Sequence, residues 1–149
     1  MTSDPAARAI LLVDDNAHGM VARRRVLLDL GYQVWTACSA QEALNIIAGQ
    51  TAWFDVVVTD YKMPSMNGVE LIAQLKVISP TTRTVLLSAL VEPWGMTEAS
   101  TGADAVVQKS SVEVNQLTRT VQGLLNQRVV KKPAASVKRA RANSVVKNG

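Results

Sequence analysis

Short, mostly apolar segments alternate along this chain with longer segments in which apolar residues recur at helical spacing. Four of the short segments each lead into a polar or charged residue, and they cover residues 9–13, 56–59, 85–87 and 105–108. A fifth segment, over residues 32–37, alternates apolar and polar side chains. Strands that alternate with amphipathic helices are typical of a parallel sheet with helices on both faces. The pattern therefore predicts an α/β fold with five strands.

Start and stop signals mark the helices between these strands. The predicted helices cover residues 19–30, 40–48, 69–75 and 111–127. Ser39 followed by Glu42 three residues later is a capping-box pattern, which marks the start of the second helix. Pro93 and Gly95 lie where a further helix should begin, so this helix is predicted to be short or mobile. Five helices and five strands thus occupy the chain to about residue 127.

The order of the strands follows from the handedness of their connections. Right-handed crossovers favour the order 2-1-3-4-5 in a doubly wound sheet of five strands, which is the flavodoxin-like arrangement. In this order the chain reverses direction between strands 1 and 3, and a crevice opens at their carboxyl ends. We therefore predict a flavodoxin-like, doubly wound, five-stranded parallel sheet with five flanking helices, formed by residues 8–127.

Charge divides the chain into two unequal parts. Residues 1–127 carry nine basic and twelve acidic side chains, a net charge of −3, whereas residues 128–149 carry seven basic side chains and no acidic one. The net charge of +4 for the whole chain therefore comes from the C-terminal segment. A segment this polar and of one sign buries too little surface to offset its ordering entropy. We expect residues 128–149 to form a basic, disordered tail.

Composition excludes several classes of protein. The longest apolar runs have about five residues, whereas a helix that spans a bilayer needs roughly 18. The N-terminus has no basic region followed by an apolar one, so no secretion signal is expected. Cys38 is the single cysteine of the chain, which excludes an internal disulfide and a metal site built from several cysteines. We expect a cytoplasmic protein without a membrane partner.

Polar side chains at the strand ends are candidates for one common site. Asp14 and Asp15 follow strand 1, Asp60 follows strand 3, Ser88 ends strand 4 and Lys109 follows strand 5. Parallel strands bring such residues together at the carboxyl edge of the sheet. Clustered carboxylates repel one another, and a hard divalent ion such as Mg²⁺ relieves that repulsion. One carboxylate could then attack a phosphoryl donor, while the lysine and the hydroxyl contact the phosphoryl oxygens.

Several short motifs occur in an order that resembles a known family. They are Asp14-Asp15, Asp60-x-x-Met63-Pro64-x-Met66-x-Gly68, Ser88-Ala89, Gly102-Ala103-Asp104 and Lys109. In their order and approximate spacing, over about residues 8–127, they resemble the receiver domain of bacterial two-component response regulators. The combination is specific, whereas the acidic pair or the lysine alone would be a weak signal.

The resemblance implies an acceptor and a metal site. Asp60 would take a phosphoryl group from a histidine kinase or a histidine phosphotransfer protein. Mg²⁺ would be bound directly by Asp15, by Asp60 and by the backbone carbonyl of Lys62, while Asp14 would act through a water molecule. Transfer of the phosphoryl group would be catalysed by the receiver itself, so no outside substrate would be turned over.

The resemblance also implies the contacts of the phosphoryl group. Lys109 would pair with it, Ser88 would move toward it as the switch hydroxyl, and the backbone amide of Ala89 would be a further contact. Val106 stands where the family usually has an aromatic switch residue. The resemblance therefore does not say how phosphorylation would reach the output surface. Arg23–Arg25 lie on the first helix, where receivers usually meet their kinase, but a solvated face is the simpler interpretation of three consecutive arginines.

Two hypotheses of function follow, and a third is disfavoured. The first is a single-domain response regulator that signals to an unknown downstream protein through a phosphorylation-dependent binding surface. The alternative is a receiver tethered to nucleic acid through its basic C-terminal tail. An enzyme that acts on an outside substrate is disfavoured, because the chain has no Gly-x-x-x-x-Gly-Lys-Ser/Thr loop for nucleotide phosphates and no second acid–base set.

Overall fold

The computed structural model describes residues 8–49 and 54–130, and its centre is one parallel sheet. The strands are β1 (Ala9–Val13), β2 (Gln33–Ala37), β3 (Val56–Asp60), β4 (Arg83–Ser88) and β5 (Ala105–Gln108). They lie in the order β2-β1-β3-β4-β5, and each neighbouring pair is parallel. The predicted doubly wound sheet and its strand order are confirmed.

Within the described residues, the helices number six rather than the expected five. They are α1 (Ala17–Asp29), α2 (Ala40–Gly49), α3 (Gly68–Ile78), α4 (Val91–Trp94), α5 (Glu98–Thr101) and α6 (Glu113–Val130). The expected fourth helix is divided into α4 and α5, each of four residues. Gly95 takes a φ of 62° and ends α4 after one turn, because glycine adopts this left-handed conformation without strain.

The last helix is longer than the sequence predicts. α6 runs to Val130, so the backbone of residues 128–130 belongs to the helix and not to the expected tail. The remainder of that tail, residues 131–149, lies outside the described residues. No helix in the described part of the chain is both long enough and apolar enough to cross a membrane.

The central strands are buried on both faces. Ile10 and Leu12 pack with α1 and α6 on one face of the sheet, whereas Leu11 and Val13 pack with α2 and α3 on the other. All four side chains are at most 2% exposed. Successive side chains of a strand point to opposite faces. A continuous apolar run therefore fills both cores at once, which places β1 in the interior of the sheet.

Side-chain caps fix two of the loops at the carboxyl edge of the sheet. Asn67 and Glu70 form a reciprocal capping box at the start of α3, with both hydrogen bonds at 2.9 Å. At the start of α2, the backbone N–H of Glu42 donates to Ser39 Oγ at 3.0 Å. The Glu42 carboxylate accepts from the N–H of Cys38 rather than from that of Ser39. The predicted cap of α2 is present, with its second hydrogen bond moved by one residue.

Candidate functional site

Three carboxylates meet at the carboxyl ends of β1 and β3. Asp14 and Asp15 follow β1, Asp60 ends β3, and each can place an oxygen within 4.8 Å of the others. Asp14 is 2% and Asp60 6% exposed, whereas Asp15 is open to solvent. Mg²⁺ prefers carboxylate oxygens and keeps several of its own waters. Three oxygen donors with one open side fit this ion.

Lys109 reaches the acidic cluster from the end of β5. Its Nζ lies 2.7 Å from Asp60 Oδ1, and its backbone N–H donates to the carbonyl of Ser88 at 2.9 Å. Because β4 separates β5 from β3, the long lysine side chain bridges the end of the intervening strand. The side chain is 28% exposed, so its charge is accessible to an incoming anion.

The site opens into a cavity of about 360 Å³. The predicted site residues that line it are Asp15, Asp60, Lys62, Ser88, Ala89 and Lys109. Asp14 is buried and is the one predicted site residue that is not part of its wall. The tertiary structure thus brings together side chains and backbone groups from the ends of β1, β3, β4 and β5 around one cavity.

The loop between β4 and α4 is held by two side chains. Ser88 Oγ accepts a hydrogen bond from the N–H of Leu90 at 2.9 Å. Gln108, the last residue of β5, donates from Nε2 to the carbonyl of Ala89 at 2.9 Å and accepts at Oε1 from the N–H of Glu92 at 2.7 Å. Of the two predicted phosphate contacts of this loop, Ala89 is tied to β5 through its carbonyl, whereas the Ser88 hydroxyl is held within the loop. The sequence predicts no role for Gln108, because a polar residue at the end of a strand does not indicate which groups it will contact.

Burial raises the pKa of the Asp60 carboxyl above its ordinary value. The hydrogen bond and the charge of Lys109 lower this pKa, the charge of Asp14 raises it, and the charge of Arg23 lowers it. The cationic neighbours do not compensate fully for burial, so the ionised carboxylate is less favourable in the folded chain than in water. A divalent cation at the cluster would favour the ionised form.

Asp60→Asn is expected to stabilise the metal-free protein at neutral pH. The pKa of Asp60 is higher in the folded chain than in the unfolded chain. Protonation of Asp60 therefore stabilises the folded chain; this contribution is fully present below the unfolded pKa and is lost as the pH rises through the folded pKa. In EDTA, the neutral amide should raise the midpoint of thermal unfolding by a few degrees. The advantage should vanish in acid, where Asp60 is protonated. A midpoint below that of the wild type at neutral pH would contradict this expectation.

The prediction of a solvated arginine face on α1 is wrong for Arg23. Its side chain is 6% exposed, with Nη1 at 2.7 Å from Asp14 Oδ2 and Nε at 2.7 Å from Glu113 Oε2. The other two arginines of this run, Arg24 and Arg25, are exposed, as expected. A signal was present in the sequence, because position 23 falls on the same helical stripe as the buried Met20 and Leu27.

One protein family, described as the response regulator receiver domain, matches residues 10–122 of this chain. The chain belongs to the response regulator receiver family. The two-component response regulator ARR14 of Arabidopsis thaliana is 33% identical over 84 residues, which are 56% of this chain and 22% of that protein. Sporulation initiation phosphotransferase F of Bacillus subtilis is 32% identical over 83 residues, 56% of this chain and 65% of that protein. The chain thus spans less than two thirds of either relative.

Solved receiver structures have the same fold. The crystal structure of a response regulator receiver protein from Sinorhizobium medicae has a TM-score of 0.71 and 29% identity, and the match covers 84% of this chain and 99% of that one. The chemotaxis response regulator CheY4 of Vibrio cholerae has a TM-score of 0.69 and 30% identity, with 80% and 99% covered. The family and fold implied by the sequence motifs are confirmed. Receiver domains are phosphorylated on an aspartate, bind Mg²⁺ at an acidic pocket and interact with histidine kinases and phosphotransfer proteins.

Proposed function

We propose that this receiver acts as a single-domain response regulator that accepts a phosphoryl group on Asp60. The observation that carries the proposal is the 2.7 Å ion pair of Asp60 with Lys109, formed beside two further carboxylates and open to a cavity. This arrangement supplies a nucleophilic oxygen and a positive charge for the incoming phosphoryl oxygens at one place. The phosphoryl donor is a histidine kinase or a histidine phosphotransfer protein, and the receiver turns over no outside substrate.

The proposed reaction is a transfer from the donor to a carboxylate oxygen of Asp60. A bond forms between this oxygen and phosphorus, and the bond between phosphorus and the donor's leaving group breaks. Lys109 neutralises the phosphoryl oxygens as it leaves its contact with the carboxylate. The Ser88 hydroxyl gives up the hydrogen bond that it accepts from the loop and donates a hydrogen bond to a phosphoryl oxygen, and the N–H of Ala89 donates a hydrogen bond to another. The product is an aspartyl phosphate.

The metal site of the proposal uses the acidic cluster. Asp15 and Asp60 would hold Mg²⁺ directly, together with the backbone carbonyl of Lys62, and Asp14 would act through water. When bound, Mg²⁺ neutralises the charge that the carboxylates and the phosphoryl group bring together. The receiver TrrA of Thermotoga maritima, with 26% identity, a TM-score of 0.68 and 78% of this chain and 98% of TrrA covered, has been crystallised in complex with Mg²⁺ and BeF. The same pair is a suitable probe here.

The experiment that tests the proposal is labelling of the whole chain with acetyl phosphate. In the presence of MgCl₂, intact mass spectrometry should show the addition of a single phosphoryl group, and EDTA should prevent it. Hydroxylamine should remove the group, because it cleaves acyl phosphates but not phosphate esters. Labelling that persists in EDTA, or that resists hydroxylamine, would contradict the assignment.

The proposed output is a binding surface for a downstream protein beside β5. A groove of about 390 Å³ lies there, and its walls include Val106, Gln108 and Arg119. Gln108 joins this groove to the loop that carries Ala89, through the hydrogen bond to the carbonyl of that residue. Movement of the loop on phosphorylation would therefore change one wall of the groove directly, without an aromatic residue at position 106. The cytoplasmic location that the sequence suggests stays a prediction.

The basic tail is the basis of an alternative proposal, in which the receiver is tethered to nucleic acid. Seven basic side chains without an acidic one could bind phosphate backbones without sequence preference. Because the described part of α6 reaches Val130, the test should delete residues 131–149 and keep every described residue of this helix. If the tail is the tether, this deletion should abolish a salt-sensitive shift of DNA or RNA in a gel. Binding that survives the deletion would exclude the alternative.

A further inference from the structure

A network of buried and partly buried charges joins the acidic cluster to the last helix. The Arg23 guanidinium contacts Asp14 through Nη1 and Glu113 through Nε, each at 2.7 Å, and 90 residues separate Arg23 from Glu113. The other oxygen of Asp14 accepts from the N–H of Asn16 at 2.9 Å. Both oxygens of Asp14 are therefore held, one by a cation from α1 and one by the loop that follows β1.

The backbone of α1 leaves room for this contact at Gly19. A Cβ atom at this position would lie 3.1 Å from Asp14 Oδ2 and 3.3 Å from Arg23 Nη1. Both distances are shorter than ordinary van der Waals contact, so a side chain here would press on the ion pair. The absence of a side chain at Gly19 thus allows the arginine to approach the acidic cluster closely.

The charge of Arg23 acts on the metal site. Arginine stays protonated in proteins, so Arg23 carries a positive charge with its Nη1 at 2.7 Å from Asp14 Oδ2. A fixed cation at one carboxylate opposes the binding of a second cation to the same cluster. Glu113 weakens this opposition, because its carboxylate neutralises the guanidinium from the other side.

We propose that Arg23 is a positioning residue of the acidic cluster, which fixes Asp14 and lowers the affinity of the cluster for divalent cations to a degree that Glu113 sets. The inference rests on the proposed function, because it takes the cluster to be a metal site. A buried ion pair that served only to join α1 to α6 would affect stability and leave metal affinity unchanged. The two roles are therefore separable by measurement.

The test is a calorimetric titration of the full-length chain with MgCl₂ at fixed ionic strength. Arg23→Met removes the cation and should tighten Mg²⁺ binding by roughly tenfold, the scale expected for one unit charge near a divalent ion in a water-like dielectric. Glu113→Gln leaves the cation without its counter-charge and should weaken binding by about threefold, since the guanidinium lies between Glu113 and the cluster. Shifts of opposite sign are the signature of the proposed role.

Matched controls separate this effect from general changes of charge. Arg24→Met removes the same charge from an exposed position of α1, and Glu98→Gln removes an exposed carboxylate. Both should leave the dissociation constant of Mg²⁺ within about twofold of the wild-type value, because solvent and salt screen exposed charges. Unfolding by urea in EDTA, measured on each variant, records the purely structural contribution.

Three outcomes decide the inference. The inference would be overturned, and the proposed function left intact, if the Arg23 and Glu113 variants bound Mg²⁺ with the wild-type affinity or if both affinities shifted in the same direction. A wild-type chain that does not bind Mg²⁺ would overturn both. Should Arg23→Met fail to fold, the double variant R23M/E113Q removes both buried charges together. Its affinity should then exceed that of Glu113→Gln alone, and an affinity equal to that of the single variant would count against the inference.

Discussion

Asp60→Asn is expected to abolish labelling by acetyl phosphate, from one phosphoryl group on each chain to none that mass spectrometry detects. The amide nitrogen and oxygen of asparagine lack the negative charge that makes a carboxylate oxygen a nucleophile. The substitution keeps the size of the side chain, which is 8% exposed, and leaves an oxygen that can still accept a hydrogen bond from Lys109. The fold should therefore persist while the chemistry is lost.

The matched control for this variant is Asp29→Asn. Asp29 is the last residue of α1 and is exposed, so the same chemical change occurs away from the acidic cluster. This variant should be labelled to the same extent as the wild type. Circular dichroism of both variants checks that they are folded. Equal labelling of Asp60→Asn and the wild type would refute the assignment of the acceptor.

Gly68→Ala should destabilise the fold by roughly 2–3 kcal/mol, because overpacking a buried position forces backbone or side chains to shift. A Cβ atom at Gly68 would clash with the carbonyl oxygen of Asp60, and would lie 3.1 Å from its carbonyl carbon and 2.8 Å from Leu86 Cδ1. The N–H of Gly68 donates to the carbonyl of Tyr61 at 2.8 Å. The start of α3 therefore packs directly on the backbone that carries the acceptor, and the variant should also be labelled more slowly.

Gly123→Ala is the control for the Gly68 variant, and its effect on the stability of the fold should have the opposite sign. Gly123 lies within α6, is exposed, and has no atom within 4 Å of the position of a Cβ. Alanine is favoured over glycine in a helix by about 0.5–1 kcal/mol, so the variant should be more stable than the wild type. Urea unfolding followed by circular dichroism measures both variants. A Gly68→Ala protein as stable as the wild type would contradict the close packing of α3 on β3.

The sequence determined the sheet and most of the site, for a reason that lies in the pattern itself. Runs such as Ile10–Val13 are apolar on both faces, which is required of a central parallel strand and of few other elements. Once the strands are known, right-handed connections restrict their order, and the order places the residues that follow β1, β3 and β5 at one edge. The sequence alone therefore predicts that Asp14, Asp60 and Lys109 lie close together.

Local irregularities were only partly determined. Pro93 and Gly95 indicated a weak helix, but the pattern did not show that two separate turns would form. The capping motif at Thr97, where Ser100 bonds back to the cap, starts α5 as an element of its own. The continuation of α6 through residues 128–130 was also not predicted, although no glycine or proline stops the helix at residue 127. The choice between one continuous helix and two short ones, and the residue at which a helix stops, depend on small differences in energy.

Only the tertiary structure decided the partners of the polar side chains. The sequence predicts that Arg23 lies on a helix, but no pattern in it shows that Glu113 would lie within reach on another helix. The same holds for Gln108, whose side-chain amide forms hydrogen bonds with the carbonyl of Ala89 and the N–H of Glu92. Apolar burial depends on area and leaves a periodic trace along the chain. Hydrogen bonds and buried ion pairs depend on distance and direction between residues far apart in sequence, so their partners are fixed only when the helices pack on the sheet.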